Sequence, residues 1–301
     1  MSCQLSRTAG AILFALSAFA SAETPTHAPA PAAIAAPAND MLDVGPYRVQ
    51  MASQGTGPYT VIFESGFGRD LNVWRAVAPE VAKSNRAVTY SRAGHGRSAP
   101  RPGTPTLTGR TDELEELIAA AGLQPPFVLV GHSYGGFLIR SYAARHPAQI
   151  AGMVFVDPSD EHQNIELRKL DAAAVDNDTR LLAQCMPPKL QPELSQLQAI
   201  LDSGKLSLAG PLPDVPVVVL TSVQRREQPQ LFLETPAAVE VWRDLHARFF
   251  RSFKRGSHVV TPYSDHNIHQ DEPQLVIAAI ADVIAAAETA RAAREGTAPG
   301  K

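Results

Sequence analysis

One short stretch, residues 127–136, restricts what this chain can fold into more than any other. Phe127-Val-Leu-Val130 is continuously apolar, which reads as a strand covered on both faces rather than a half-exposed one. Gly131-His132-Ser133-Tyr134-Gly135-Gly136 follows, and a helical pattern runs from Phe137 to Arg145, stopping before Pro147. Strand, glycine-rich turn and helix in direct succession present Ser133 at the carboxyl end of a buried strand. The head of the helix also aims main-chain N–H groups and the positive end of its dipole at the same place.

The rest of the chain repeats this alternation. Strand patterns lie at Tyr47–Met51, Thr60–Phe63, Ala87–Tyr90, Met153–Val156 and Val217–Leu220, with a weaker one at His258–Thr261. Helical patterns lie at Leu71–Lys83, Thr111–Ala121, Ala237–Phe250 and Pro273–Ala287, with Thr111 read as an N-cap. Strands alternating with helices predict an α/β fold, a mainly parallel twisted sheet flanked by helices. Between about 159 and 214 no strand signal occurs, and helix-like pieces are separated by Pro187-Pro188, Pro192 and Ser203-Gly204. This segment is expected to form a helical cap over the sheet.

Composition removes several function classes. Twenty-seven Lys and Arg against 30 Asp and Glu give a net charge of −3, without the basic excess that neutralises nucleic-acid phosphates. Two cysteines exclude a disulfide framework or a cysteine-ligated zinc cluster. Residues 1–22 read as a cleaved signal peptide, with Arg7, an apolar run Ala11–Ala20 and the small-residue pattern Ala20-Ser21-Ala22. The run is too short to span a bilayer, so no membrane span is expected in the mature protein, which is expected in the periplasm or outside the cell. Residues 23–40, with Pro25, Pro29, Pro31 and Pro37, read as an Ala/Pro-rich linker, and 41–301 as the folded domain.

A serine hydroxyl is a weak nucleophile at neutral pH and needs a general base. Of nine histidines, His266 in Ser264-Asp265-His266-Asn-Ile-His269 sits between the last strand pattern and the last helix. His132 adjoins Ser133, so its side chain diverges and it reads as packing. His246 and His258 fall inside regular elements and read as structural. No phosphate-binding signature G-x-x-x-x-G-K-[ST] is present, although Gly66-Phe67-Gly68 superficially invites one. Asp265, His266 and His269 lack a clear fourth ligand for a metal. No metal and no cofactor is expected.

With these residues in place, the chain resembles the α/β-hydrolase superfamily from about Tyr47 to Ala287. Asp265-His266-Asn-Ile-His269-Gln-Asp-Glu-Pro273 is similar to that family's G-H-x-x-H-x-x-x-P segment, with Asp265 in place of the glycine, which implies that His266 is the base. Ser91-Arg92-Ala93-Gly94-His95-Gly96-Arg97-Ser98 is similar to its D-x-x-G-x-G-x-S loop, with Ser91 in place of the aspartate. The order nucleophile, acid, histidine requires a carboxylate between Ser133 and His266. Most members carry it after the strand matching Val217–Leu220, where Glu227 is the nearby candidate. A minority carry it at the end of the preceding strand, where Asp157 stands. Asp157 is read as the acid and Glu227 as the alternative. The resemblance also implies an oxyanion hole built from the main-chain N–H groups of Tyr134 and Phe67.

The implied activity is hydrolysis of an ester-like small molecule through an acyl-enzyme. A ligand-binding protein on a hydrolase scaffold is the competing class. Perhydrolase, carbon–carbon hydrolase and hydroxynitrile lyase activities within the superfamily also retain a serine. Neither the substrate's identity nor the oligomeric state is readable from the sequence.

Overall fold

The computed structural model describes residues 40–296. The expected signal peptide and the linker up to residue 39 lie outside them. Asp40, assigned above to the linker, already belongs to the first strand.

In chain order the elements are β1 (Asp40–Asp43), β2 (Arg48–Gln54), β3 (Thr60–Glu64), α1 (Ala78–Val81), β4 (Arg86–Tyr90), α2 (Leu107–Ala120), β5 (Phe127–His132), α3 (Gly135–Arg145) and β6 (Ile150–Val156). Then come α4 (Gln163–Cys185), α5 (Gln191–Ser203), β7 (Val217–Ser222), α6 (Pro236–Phe250), β8 (Gly256–Thr261), α7 (Ile268–Asp271) and α8 (Pro273–Gly296). One eight-stranded sheet has the order β1-β2-β4-β3-β5-β6-β7-β8. β1 and β2 pair antiparallel, as do β2 and β4, and every other pairing is parallel.

The unbroken apolar runs divide residue by residue between the two faces, because successive strand side chains point opposite ways. Val61, Phe63, Val128 and Val130 pack on one face with Val276, Ile280 and Val283 of α8. Ile62 and Leu129 pack on the other with Leu114 and Leu117 of α2 and Ile139 of α3. A sheet covered on both sides leaves the loops at the carboxyl ends of its parallel strands as the place for chemistry. α4 and α5 sit above those loops, and Leu190, Leu194, Leu197 and Leu201 pack onto Phe67, Tyr134 and Phe137.

Two expected helices are different in the structure. Leu71–Lys83 is a 3-10 turn, Leu71–Trp74, followed by the short α1. Pro79 lacks an N–H and its ring clashes with the carbonyl four residues back, so one continuous helix is impossible there. The helix expected to begin at Thr111 starts a turn earlier. Its cap is Thr106, whose Oγ1 accepts from the Gly109 N–H at 3.0 Å. Thr111 instead turns its hydroxyl to Leu107 O (2.9 Å) and Ser141 Oγ (2.8 Å) inside the helix.

Candidate active site

Ser133 sits immediately after β5 with φ +51°, in the left-handed region that side-chain-bearing residues avoid. Close packing holds the turn there. A Cβ on Gly135 would lie 2.4 Å from Glu64 O, so this position tolerates only glycine. The Ser133 N–H donates to Val156 O at 3.2 Å, and its carbonyl accepts from Gly136 (2.8 Å) and Ser159 (3.1 Å). Its hydroxyl is 3.5 Å from Ser159 Oγ. Tyr134 is at the start of α3, where main-chain N–H groups have no intrahelical acceptor.

Asp157 occupies the equivalent position one strand over. It follows β6 with φ +44°, and among the described residues it and Ser133 are the two non-glycine residues with positive φ. Strained residues of this kind cost about 1–3 kcal/mol each and cluster where function holds them. Asp157 Oδ2 accepts from His266 Nδ1 at 2.7 Å. Asp157 Oδ1 accepts from the Ser222 N–H and from Trp242 Nε1, both at 2.9 Å. An ionised carboxylate only accepts, so the His266 proton is on Nδ1 and the lone pair is on Nε2. His266 and Ser133 line the same cavity, together with Gly66 and Phe67. Glu227 is exposed in the loop after β7, and it makes no hydrogen bond or ion pair with the described residues. The structure thus brings Asp157 to His266 and leaves Glu227 apart.

The loop carrying Phe67 is held from beneath. Arg92, about 1% exposed, donates to Ser65 O (2.6 Å) and Gly66 O (2.7 Å) and pairs with Glu64 at 2.6 Å. Tyr90 also donates to Glu64. Arg92 therefore reaches the site through the backbone of this loop and does not line the Ser133 cavity. Gly66 has no room for a side chain, since its Cβ would meet His132 Nδ1 at 2.7 Å. From the cap, Glu193 of α5 enters the same charged cluster: Arg110 Nε is 2.9 Å away, His95 Nε2 3.0 Å and Arg92 Nε 3.7 Å. Burial alone would raise the Glu193 carboxyl, but His95, Arg92 and Arg110 outweigh it and hold it down to about 2. Burial likewise opposes the charge on Arg92, yet Glu64 and Glu193 keep its pKa above the ordinary value.

Four other histidines pack around these groups. His132 Nε2 meets His266 O at 2.9 Å, and its ring packs on His266 and His269 with centroids 4.7 and 4.4 Å apart. Burial, with the charges of His269 and His266 adding to it, holds His132 well below the ordinary histidine value. Burial also takes His269 down to about 3, helped by His266 and Arg69. His246 donates through Nε2 to Pro158 O (2.7 Å), so its Nδ1 accepts from Thr221 Oγ1 (2.7 Å), and its ring supports Trp242 at 4.4 Å. His258 meets the same hydroxyl at 2.8 Å.

Among the described residues one grouping has metal-ligand spacing, Asp160, Glu161 and His162. Arg140 already holds Glu161 through two bonds of 2.7 and 2.8 Å, and Asp160 accepts from the His162 N–H at 2.8 Å. These groups are satisfied by one another, and Asp265, His266 and His269 form no such grouping.

Three cavities adjoin the site, and the largest is not the one with the serine. It holds about 640 Å³ counted out to its mouth, between α6 and the far side of His266, under Trp242 and Leu245. The Ser133 cavity holds about 460 Å³, and a third, between α4, α5 and Phe232, about 510 Å³. The smaller Ser133 cavity matters most for chemistry, because it alone contains both Ser133 and His266. Sequence reasoning missed Trp242 and Glu193, which lie far along the chain from the groups they support. The amphipathic pattern of α5, with an acidic residue on its buried side, was the available sign for Glu193.

Residues 59–184 match the family model described as alpha/beta hydrolase fold. The chain is 28% identical over 245 residues to the uncharacterized protein YqjL of Bacillus subtilis (strain 168), covering 78% of this chain and 87% of that one. Among solved structures, a thermophilic esterase from Thermogutta terrifontis superposes with a TM-score of 0.55 at 18% identity, covering 84% of this chain and 99% of the esterase. A serine hydrolase involved in carbazole degradation gives 0.57 at 16% identity, covering 83% and 99%. With a mostly parallel eight-stranded sheet, a serine turn after β5 and a histidine loop after β8, this chain has the α/β-hydrolase fold.

Proposed function

We propose that the chain is an exported serine hydrolase that cleaves ester-like small molecules through an acyl-enzyme. Ser133 Oγ attacks the carbonyl carbon while His266 Nε2 takes its proton. The alcohol then leaves with that proton, and water, deprotonated by His266, releases the acid. Asp157 keeps the imidazole proton on Nδ1 and stabilises the imidazolium formed in each step. The N–H groups of Tyr134 and Phe67 receive the developing oxyanion.

The observation that carries this reading is the pair of left-handed residues, Ser133 and Asp157, framing His266 at the ends of adjacent strands. The Ser133 hydroxyl lies against Ser159 in this state, and hydrogen bonds of this kind commonly tighten only when substrate is bound. The esterase and the serine hydrolase among the similar structures agree with acyl transfer to water. Export rests on the sequence of residues 1–22. Ser133→Ala should lower kcat/KM for a short-chain aryl ester by about 10³-fold or more. Turnover at the wild-type rate in that variant would overturn the mechanism.

A further inference from the structure

The loop Ser91-Arg92-Ala93-Gly94-His95-Gly96-Arg97-Ser98 has no role in the mechanism above, yet the sheet order carries it to the site. β4 pairs parallel with β3, Thr89 beside Phe63, and β3 pairs with β5, Glu64 beside Gly131. The turns after these three strands therefore emerge side by side, bearing Arg92, Gly66 and Ser133. The middle turn lies against the serine: a Cβ on Gly66 would be 3.4 Å from Ser133 Cβ. Arg92 spreads its guanidinium over two consecutive carbonyls of that turn. Its Nη1 donates to Ser65 O and Glu64 Oε1, both at 2.6 Å, and its Nη2 donates to Gly66 O at 2.7 Å. The same cation stands over the Tyr134 ring, 5.5 Å from its centre, and that ring meets Phe67 edge-on at 6.4 Å. One buried side chain thus contacts both residues whose N–H groups would receive the oxyanion.

We propose that Arg92 is a positioning residue that sets both halves of the oxyanion hole. This rests on the reading of Ser133 as the nucleophile, with the Tyr134 and Phe67 N–H groups as donors. The Gly66 carbonyl and the Phe67 N–H belong to one peptide unit, which is planar and trans, so the two point in opposite directions. A donor that holds the carbonyl on one side therefore fixes the line of the N–H on the other. Charge adds to geometry, because a cationic donor at the oxygen polarises the amide and strengthens its N–H as a donor. On the other half, the cation over the Tyr134 ring anchors that side chain at the head of α3. Lysine cannot replace it: an ammonium is a point charge, whereas the planar guanidinium fork spans two carbonyls and a carboxylate at once.

The test changes the atom that the hole must recognise. The kcat/KM of p-nitrophenyl butanoate is divided by that of its thiono analogue, in which sulfur replaces the carbonyl oxygen. Sulfur is a weak acceptor, so N–H donors aimed at this atom favour the oxygen ester. A general loosening of the fold slows both esters alike and leaves the ratio where it was. In Arg92→Met the preference for the oxygen ester should fall about tenfold or more, carried by kcat with KM little changed. Arg92→Lys keeps a charge beside Glu64 and should lose part of the preference, which reads the effect even if Arg92→Met fails to fold. Glu193→Gln disturbs the same ion cluster without touching either carbonyl, and should keep the wild-type ratio. A wild-type ratio in the folded Arg92 variants, or an equal fall in Glu193→Gln, overturns the proposal and leaves Ser133 as the nucleophile. Hydrolysis of neither ester by the wild type refutes the Ser133 reading and this proposal with it.

Discussion

β6 and β7 are neighbours in the sheet, and the loop above each offers one carboxylate, but the two are built in opposite ways. Asp157 is 2% exposed, held in a left-handed turn and given three donors, from His266, Trp242 and the Ser222 main chain. Glu227 lies exposed, with no described partner. β7 even serves the other acid, since its last residue supplies the Ser222 N–H. A third carboxylate separates burial from function. Glu193 is as buried as Asp157, but it is spent between Arg110, Arg92 and His95, out of reach of the Ser133 cavity. What sets Asp157 apart as the proposed acid is the set of donors that fix it against the His266 imidazole, not burial alone.

The largest effect should come from Asp157→Asn, which keeps the shape but favours the wrong histidine tautomer. A loss of about 10³–10⁴-fold in kcat/KM for an aryl ester is expected, with thermal unfolding shifted only a few degrees. A near-wild-type rate would hand the role to another group. Trp242→Phe removes one of the Asp157 donors while keeping the ring on His246, and should cost about tenfold in kcat with KM little changed.

Glu193→Gln should act on stability rather than chemistry. Its carboxyl is held down to about 2 in the folded protein, against about 4.3 for an ordinary glutamate. The stability it contributes is therefore complete above about pH 4.3 and disappears as pH falls from there toward 2. The unfolding temperature of the wild type should exceed that of Glu193→Gln at pH 7, and the gap should close across this acid window. A gap independent of pH would contradict the ion cluster between cap and oxyanion loop. The smallest effect belongs to Glu227→Gln, expected within about twofold of wild type in the same ester assay, as for an exposed group away from the site.

Much of this was readable before any coordinates. The valine-rich runs at Thr60–Phe63, Phe127–Val130 and Val217–Leu220 fixed a two-faced parallel sheet, because continuous apolar strands have no other stable setting. The turn that presents Ser133 was readable because its glycines are short-range geometry. The acid was less legible: Asp157 was read as the first choice and Glu227 as the alternative, because the order along the chain admits both. His266, Trp242 and Ser222, 109, 85 and 65 residues further along, are what converge on Asp157 and not on Glu227. Helix starts failed for local reasons: Gly109 and Thr108 weaken the first turn of α2, so the Thr106 cap was hidden behind poor helix formers. β1 is four residues with partly exposed side chains, which leaves almost no hydrophobic pattern to find.

The most direct measurement is the site of a covalent adduct. An aryl phosphonate fluoride incubated with the wild-type protein, followed by peptide mapping in a mass spectrometer, should place the phosphonyl group on Ser133 and nowhere else. The Ser133→Ala protein should remain unlabelled and inactive. Label on another residue, or ester hydrolysis that continues in the Ser133→Ala protein, would contradict the assignment of the elbow serine as nucleophile.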